Sequence, residues 1–156
     1  MSGWKPRPAG GLPDGLVLFD GVCVLCSGWV HFILPRDPAG HFRFVAVQSA
    51  AGLVLAERFG LSPGDPQTVA VVGGGLVHFK GDALLAVLDH LPGWRWTRIL
   101  RGVPRPIRDF AYDRVARNRY RWFGRRQACL LPGPGERGRF IDDPAALAGT
   151  GTAAAA

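Results

Sequence analysis

Cys23 and Cys26, separated by two residues, are the side chains of this 156-residue chain whose type and spacing most directly specify chemistry. On a helix, positions i and i+3 share a face about 5–6 Å apart, within the Cα separation a disulfide accepts. Such a pair closes into a disulfide and reopens without moving the backbone. Cys23 falls in the first helical turn, where unpaired N–H groups and the positive helix end favour a thiolate. That makes Cys23 the attacking sulfur and Cys26 the one that resolves the mixed disulfide. Asp20, three residues earlier, admits two roles. It is a carboxylate that accepts and returns a proton, which needs a pKa raised by burial, or it forms an Asx turn with Gly21. An ionised Asp20 opposes thiolate formation at Cys23, and the sequence favours the turn.

Two other uses of the cysteines compete with redox exchange. A zinc site needs two further ligands, yet there is no second CxxC, and His31, His41, His78 and His90 lack paired metal-ligand spacing. Cys129 supplies at most a third ligand, or a further exchange partner; the simpler reading gives it no role. Alternatively both thiols are inert core residues, since free cysteine is commonly buried. Redox chemistry is preferred because of what surrounds the pair. Leu16-Val17-Leu18-Phe19 is a continuous apolar run, as in a strand buried on both faces, and Asp20-Gly21 punctuates it. Cys23 to Leu34 then reads as a buried helix stopped by Pro35.

The rest of the pattern supplies a scaffold. Phe42 to Val47 reads as a second strand, and Ser49 caps a helix over residues 50–59 that Gly60 ends. Thr68–Val72 and Leu76–Phe79 read as strands joined by Gly73-Gly74-Gly75. Residues 81–91 form a further helix with Ala83, Leu84, Val87, Leu88 and Leu91 at helical spacing. The order β-α-β-α-β-β-α is that of a thioredoxin-like α/β domain, a mixed sheet flanked by helices, with the first two strands parallel. This domain is expected over residues 16–93. A helical extension packs on it over 94–140, with a short helix at 94–102 and a longer one at 109–123. On the longer helix Tyr112, Val115, Ala116, Tyr120 and Phe123 share one face. Residues 1–15, rich in Pro and Gly, are expected to be a flexible lead-in, and 141–156 a flexible tail.

Composition narrows the function classes. The chain is 47% hydrophobic and 20% charged, which is globular rather than disordered. Its longest apolar run, Val24 to Leu34, is broken by Ser27, Gly28 and His31 and falls short of the roughly 20 residues a membrane span requires. No signal-like segment follows Lys5 and Arg7, so a cytoplasmic protein without a membrane span is expected, where a spaced cysteine pair suggests catalysis or metal rather than a structural disulfide. Net charge is +7, and eleven arginines lie between Arg95 and Arg126 against only Asp109 and Asp113. Interleaved with Tyr120, Trp122 and Phe123, these arginines resemble a nucleic-acid surface in composition. Pairing with Asp109, Asp113 or a buried acid, or binding an anionic substrate, accounts for some of them, and nucleic acid remains a minor hypothesis. No Gly-rich nucleotide fingerprint occurs, and no bound cofactor or metal is required.

Phe19-Asp20-Gly21-Val22-Cys23-Val24-Leu25-Cys26 resembles the Asp-x-x-Cys-x-x-Cys motif of the DCC family of predicted thiol-disulfide oxidoreductases. The resemblance continues through Arg36-Asp37, Phe44 and Lys80-Gly81-Asp82-Ala83. It extends to Asn118-Arg119-Tyr120-Arg121-Trp122-Phe123-Gly124, followed by Cys129 and Pro132. It implies a thioredoxin-like fold and a dithiol that exchanges with protein or small-molecule disulfides and is regenerated by an external reductant. A cis-proline usual in thioredoxin relatives has its nearest candidate at Pro66. The intervening Val24-Leu25 is wholly apolar and brings no side-chain charge or hydrogen bond to Cys23, so a strongly oxidising protein is not expected. The alternative from another class is a non-catalytic thiol module that holds zinc or docks an acidic partner through its basic helix.

Overall fold

The computed structural model describes residues 6–62, 68–124, 137–145 and 147. Its centre is a five-stranded sheet in the order β1-β5-β4-β2-β3, comprising β1 (Arg7–Pro8), β2 (Leu16–Phe19), β3 (Arg43–Ala46), β4 (Ala70–Gly73) and β5 (Leu76–Phe79). β2 runs parallel to β3 and antiparallel to β4. All four β2 residues are buried, as a central strand covered on both faces requires. Their alternation divides the core. Leu16 and Leu18 join Val45, Leu55 and Phe59 on one face, whereas Val17 and Phe19 join Val30, Ile33, Phe44 and Val87 on the other.

The helices follow from local chemistry. α1 (Val24–Arg36) and α3 (Lys80–Leu88) cover the Val17 face, and α2 (Ala50–Phe59) covers the opposite one. Ser49 caps α2 through the Gly52 N–H at 3.0 Å, and Gly60 ends it in the left-handed conformation. A Cβ built on Gly52 would collide with the backbone carbonyl of Ala46, so α2 lies directly against β3. Gly52→Ala should therefore destabilise the domain by about 1–3 kcal/mol in a urea melt, because backbone cannot yield as a side chain does. An unchanged melt would show that the two elements are not so closely packed.

The thioredoxin-like α/β arrangement is present, and four details differ from expectation. The lead-in is not free before residue 16: Arg7–Pro8 pairs antiparallel with β5, the Arg7 guanidinium donates to Phe59 O at 2.8 Å, and Ala9 is buried. At the other end Ile141 and Leu147 are buried in the core rather than trailing off. α1 continues through Pro35, since a proline in the last turn forfeits only one helical hydrogen bond. The extension consists of a 3-10 helix (Arg95–Gly102) and α4 (Arg105–Phe123), on which Val115 and Phe123 are exposed instead of packed. Pro66 and Cys129 lie outside the described residues.

Part of the arginine block pairs with carboxylates on the sheet domain. Asp82 binds Arg105 and Arg108 at 3.1 and 2.6 Å, and Asp89 binds Arg98 and Arg101 at 3.0 and 2.7 Å. Buried Lys80 reaches Asp113 at 2.8 Å. Much of the basic charge thus fastens the extension to α3. Among the described residues no helix is long and apolar enough to cross a membrane.

Candidate active site

β2 delivers Asp20 and the cysteine pair to the end of the sheet, and α1 begins there. Cys23 is the N-cap of α1 rather than a residue of its first turn: its backbone is extended, and its sulfur accepts from the Cys26 N–H at 3.5 Å. Its backbone N–H is donated to Asp20 O at 3.2 Å. Both thiols are free. Cys23 has no accessible surface, while Cys26 is partly exposed.

Their acidities diverge. The Cys26 thiol hydrogen-bonds the Cys23 sulfur, and this lowers Cys23 from 9.0 to about 6 against the opposing effect of burial. The N–H groups of Cys26 and Leu25 act in the same direction, while the Asp20 charge resists. Cys26 moves the other way, well above its ordinary value, because its proton is held by Cys23 and because it is buried. The apolar dipeptide contributes no side-chain tuning, as its composition implies. Backbone amides and the partner thiol do the tuning instead.

Asp20 forms the expected turn and takes on a second task. Its Oδ1 accepts from Val22 N at 3.2 Å and from Gln48 Nε2 at 2.7 Å, while Gln48 Oε1 receives Gly21 N at 3.0 Å. Its Oδ2 accepts the Tyr120 hydroxyl and stands 3.6 Å from the Arg119 guanidinium. Asp20 and Arg119 are both buried, so α4 places a buried cation beside the dithiol turn. Burial and the adjacent Asp20 carboxylate push Tyr120 up to about 12, which keeps its hydroxyl a donor at neutral pH.

Sequence reasoning assigned Tyr120 to packing and left Arg119 among several arginines. A signal was available: Arg119 lies seven residues after Tyr112 and three after Ala116, inside the stripe that faces the domain. A charge there calls for a buried counter-charge. Gln48 had no such signal.

Beside Cys26 a cavity of about 600 Å³ opens between α1, α3, α4 and the 3-10 helix, and Leu25, Trp29, Leu84, Leu88 and Ile107 are among its walls. Among the described residues no cluster of three or more His, Cys, Asp or Glu side chains is arranged to hold a metal ion; Cys129, the third ligand considered for zinc, is not among them.

The profile of the DCC1-like thiol-disulfide oxidoreductases matches residues 17–125, which include the turn, both cysteines and the Arg119-Tyr120 pair that meets them. The chain belongs to that family. Among similar proteins, the uncharacterized protein YuxK of Bacillus subtilis is 40% identical over 131 residues, covering 83% of this chain and 96% of the relative. A chloroplastic DCC family protein of Arabidopsis thaliana is 40% identical over 118 residues, covering 74% of this chain and 69% of that protein. No solved structure matches the chain significantly. In this member of the family, the two ends of the matched segment converge on one carboxylate, Asp20.

Proposed function

We propose that this protein reduces disulfides by exchange with the Cys23/Cys26 dithiol. The observation that carries the reading is the geometry of the free pair, with the Cys23 sulfur capping α1 and accepting the Cys26 N–H at 3.5 Å. This arrangement lowers Cys23 to about 6 and keeps Cys26 protonated. At neutral pH Cys23 is largely thiolate, the form that attacks. It displaces one half of the substrate disulfide as a thiolate and forms a mixed disulfide. Cys26 then gives up its proton and attacks the Cys23 sulfur, releasing the other half and leaving the Cys23–Cys26 disulfide. The Cys26 proton and one proton from solvent end on the two product thiols. Approach is from the Cys26 side, where the pair has accessible surface. An external dithiol returns the pair to the reduced state, and a reducing cytoplasmic setting suits that cycle. Asp20 acts as a positioning residue that shapes the turn and holds Arg119.

The test is dithiothreitol-driven reduction of oxidised glutathione or a model disulfide, with the reduced protein also titrated by iodoacetamide. Turnover above dithiothreitol alone is expected. Alkylation should accelerate as pH rises through about 6 and level off above it. No acceleration over dithiothreitol, or a thiol that titrates near 9.0, overturns the reading. Stoichiometric zinc lost with Cys23 or Cys26 would instead support the non-catalytic module.

A further inference from the structure

Resting on that dithiol reading, we propose that the cavity beside Cys26 selects the substrate, and that its class is a small, uncharged, apolar disulfide. One half of the molecule lies in the cavity, with its sulfur at the Cys23–Cys26 pair. The volume, about 600 Å³, falls within the range of roughly 300–1,000 Å³ typical of small-ligand sites. The walls are aliphatic and aromatic, supplied by α1, α3 and α4.

The charged and hydroxyl-bearing groups in those walls are committed to the protein, and the buried indole N–H of Trp29, without a hydrogen-bond partner among the described residues, is a neutral donor that supplies no counter-charge. Thr68 donates to Val69 O at 2.7 Å and accepts from Lys80 N at 2.6 Å. Tyr112 accepts from Val69 N at 3.0 Å, Arg108 is bound to Asp82, and Arg119 faces Asp20. A disulfide carrying carboxylates and ammonium groups would shed its hydration in the cavity without finding counter-groups. An apolar disulfide loses nothing of that kind and gains by leaving water. The mouth points the same way: Leu100, Ile107 and Val115 stand at its edge and are 41%, 59% and 37% exposed. Cys26 lines the cavity and its thiol hydrogen-bonds the Cys23 sulfur, so a disulfide seated there lies one sulfur away from the attacking atom, which it reaches as Cys26 moves aside.

Chemically the step is the exchange already described. Two sulfur–sulfur bonds break and form in succession, the substrate yields two thiols, and the enzyme disulfide is re-reduced by dithiothreitol.

The experiment compares diphenyl disulfide with oxidised glutathione, each normalised to its own rate with dithiothreitol alone. The wild type should favour diphenyl disulfide at least tenfold in normalised kcat/KM. Leu84→Trp, which fills the cavity, and Ile107→Glu, which places a charge at its exposed rim, should each reduce that preference at least fivefold. The change should reside mainly in KM for diphenyl disulfide, and an unchanged iodoacetamide alkylation profile of Cys23 shows that the dithiol itself is intact. Ile107→Glu guards against misfolding, since its site is on the surface. If both disulfides are reduced with no preference, or with one that neither variant alters, the cavity assignment is overturned while the dithiol reading stands. If neither disulfide is reduced, both fall.

Discussion

Replacing Cys23 by Ser is expected to abolish dithiol-dependent disulfide reduction, by at least about a thousandfold, since removing a nucleophile removes the pathway and not merely a contact. A hydroxyl at position 23 keeps a helix cap, so the fold should persist and the loss should be chemical. The partner variant separates the two steps. Cys26→Ser leaves Cys23 able to attack but removes the thiol that releases the product. A mixed disulfide should accumulate on Cys23, visible by intact mass as the addition of half the substrate. In Cys26→Ser the hydrogen bond that contributes most to Cys23 acidity is altered as well, so trapping should slow below neutral pH. Trapping in Cys23→Ser rather than Cys26→Ser would reverse the order of attack.

Removal of the Asp20 carboxylate should be the most damaging single change to stability around the site. Asp20→Ala takes away the acceptor for Val22 N, Gln48 Nε2 and the Tyr120 hydroxyl, together with the charge that faces Arg119. Breaking a buried ion pair from one side costs about 3–5 kcal/mol, and urea unfolding should show a loss on that scale. Asp20→Asn retains an oxygen for the turn and should lose less. Both variants remove a negative charge that raises Cys23, so in both the midpoint of the alkylation profile should move below about 6. An Asn variant with normal alkylation but impaired release of the mixed disulfide would reassign Asp20 to proton transfer. One that leaves stability and the alkylation profile unchanged would detach Asp20 from the site altogether.

The raised acidity of Cys23 also couples redox state to stability. Cys23 in the folded, reduced protein lies near 6 against 9.0 for an unperturbed thiol. Its contribution is fully present above the unfolded value and is lost as pH falls through the folded one. The reduced protein should therefore gain stability over its disulfide form as pH rises from about 6 towards 9, a window set by the thiolate alone.

The elements that position the dithiol were legible because each carries a local signature. The uniform apolar run at Leu16–Phe19, the Asp-Gly turn, the Ser49 cap and the Gly60 stop are short-range signals, and the structure places each where it was read. The Asp20 turn was legible for the same reason. Its contact with Arg119 and Tyr120 was not, since it joins residues about a hundred positions apart and periodicity carries no information on which carboxylate meets which arginine. The acidity of Cys23 was legible only in part: the helix start was visible, whereas the Cys26 thiol as the chief donor depends on side-chain geometry. Proline- and glycine-rich composition suggested slack at the N-terminus, but backbone pairing at Arg7 and burial of Ala9 rest on a partner strand far along the chain.

That pairing has a practical side. Arg7–Pro8 shields the outer edge of β5, and at the opposite side of the sheet Phe140 bridges to Phe44 while Ile141 N donates to Phe44 O at 2.9 Å. Both flanks of the sheet are thus closed by segments near the two ends of the chain. A shortened protein beginning at residue 16, chosen because the preceding stretch looks dispensable, would bare the amides and carbonyls of β5 beside exposed Leu76. Such an open flank templates strand addition from neighbouring molecules, so the trimmed protein should self-associate where the longer one stays dispersed.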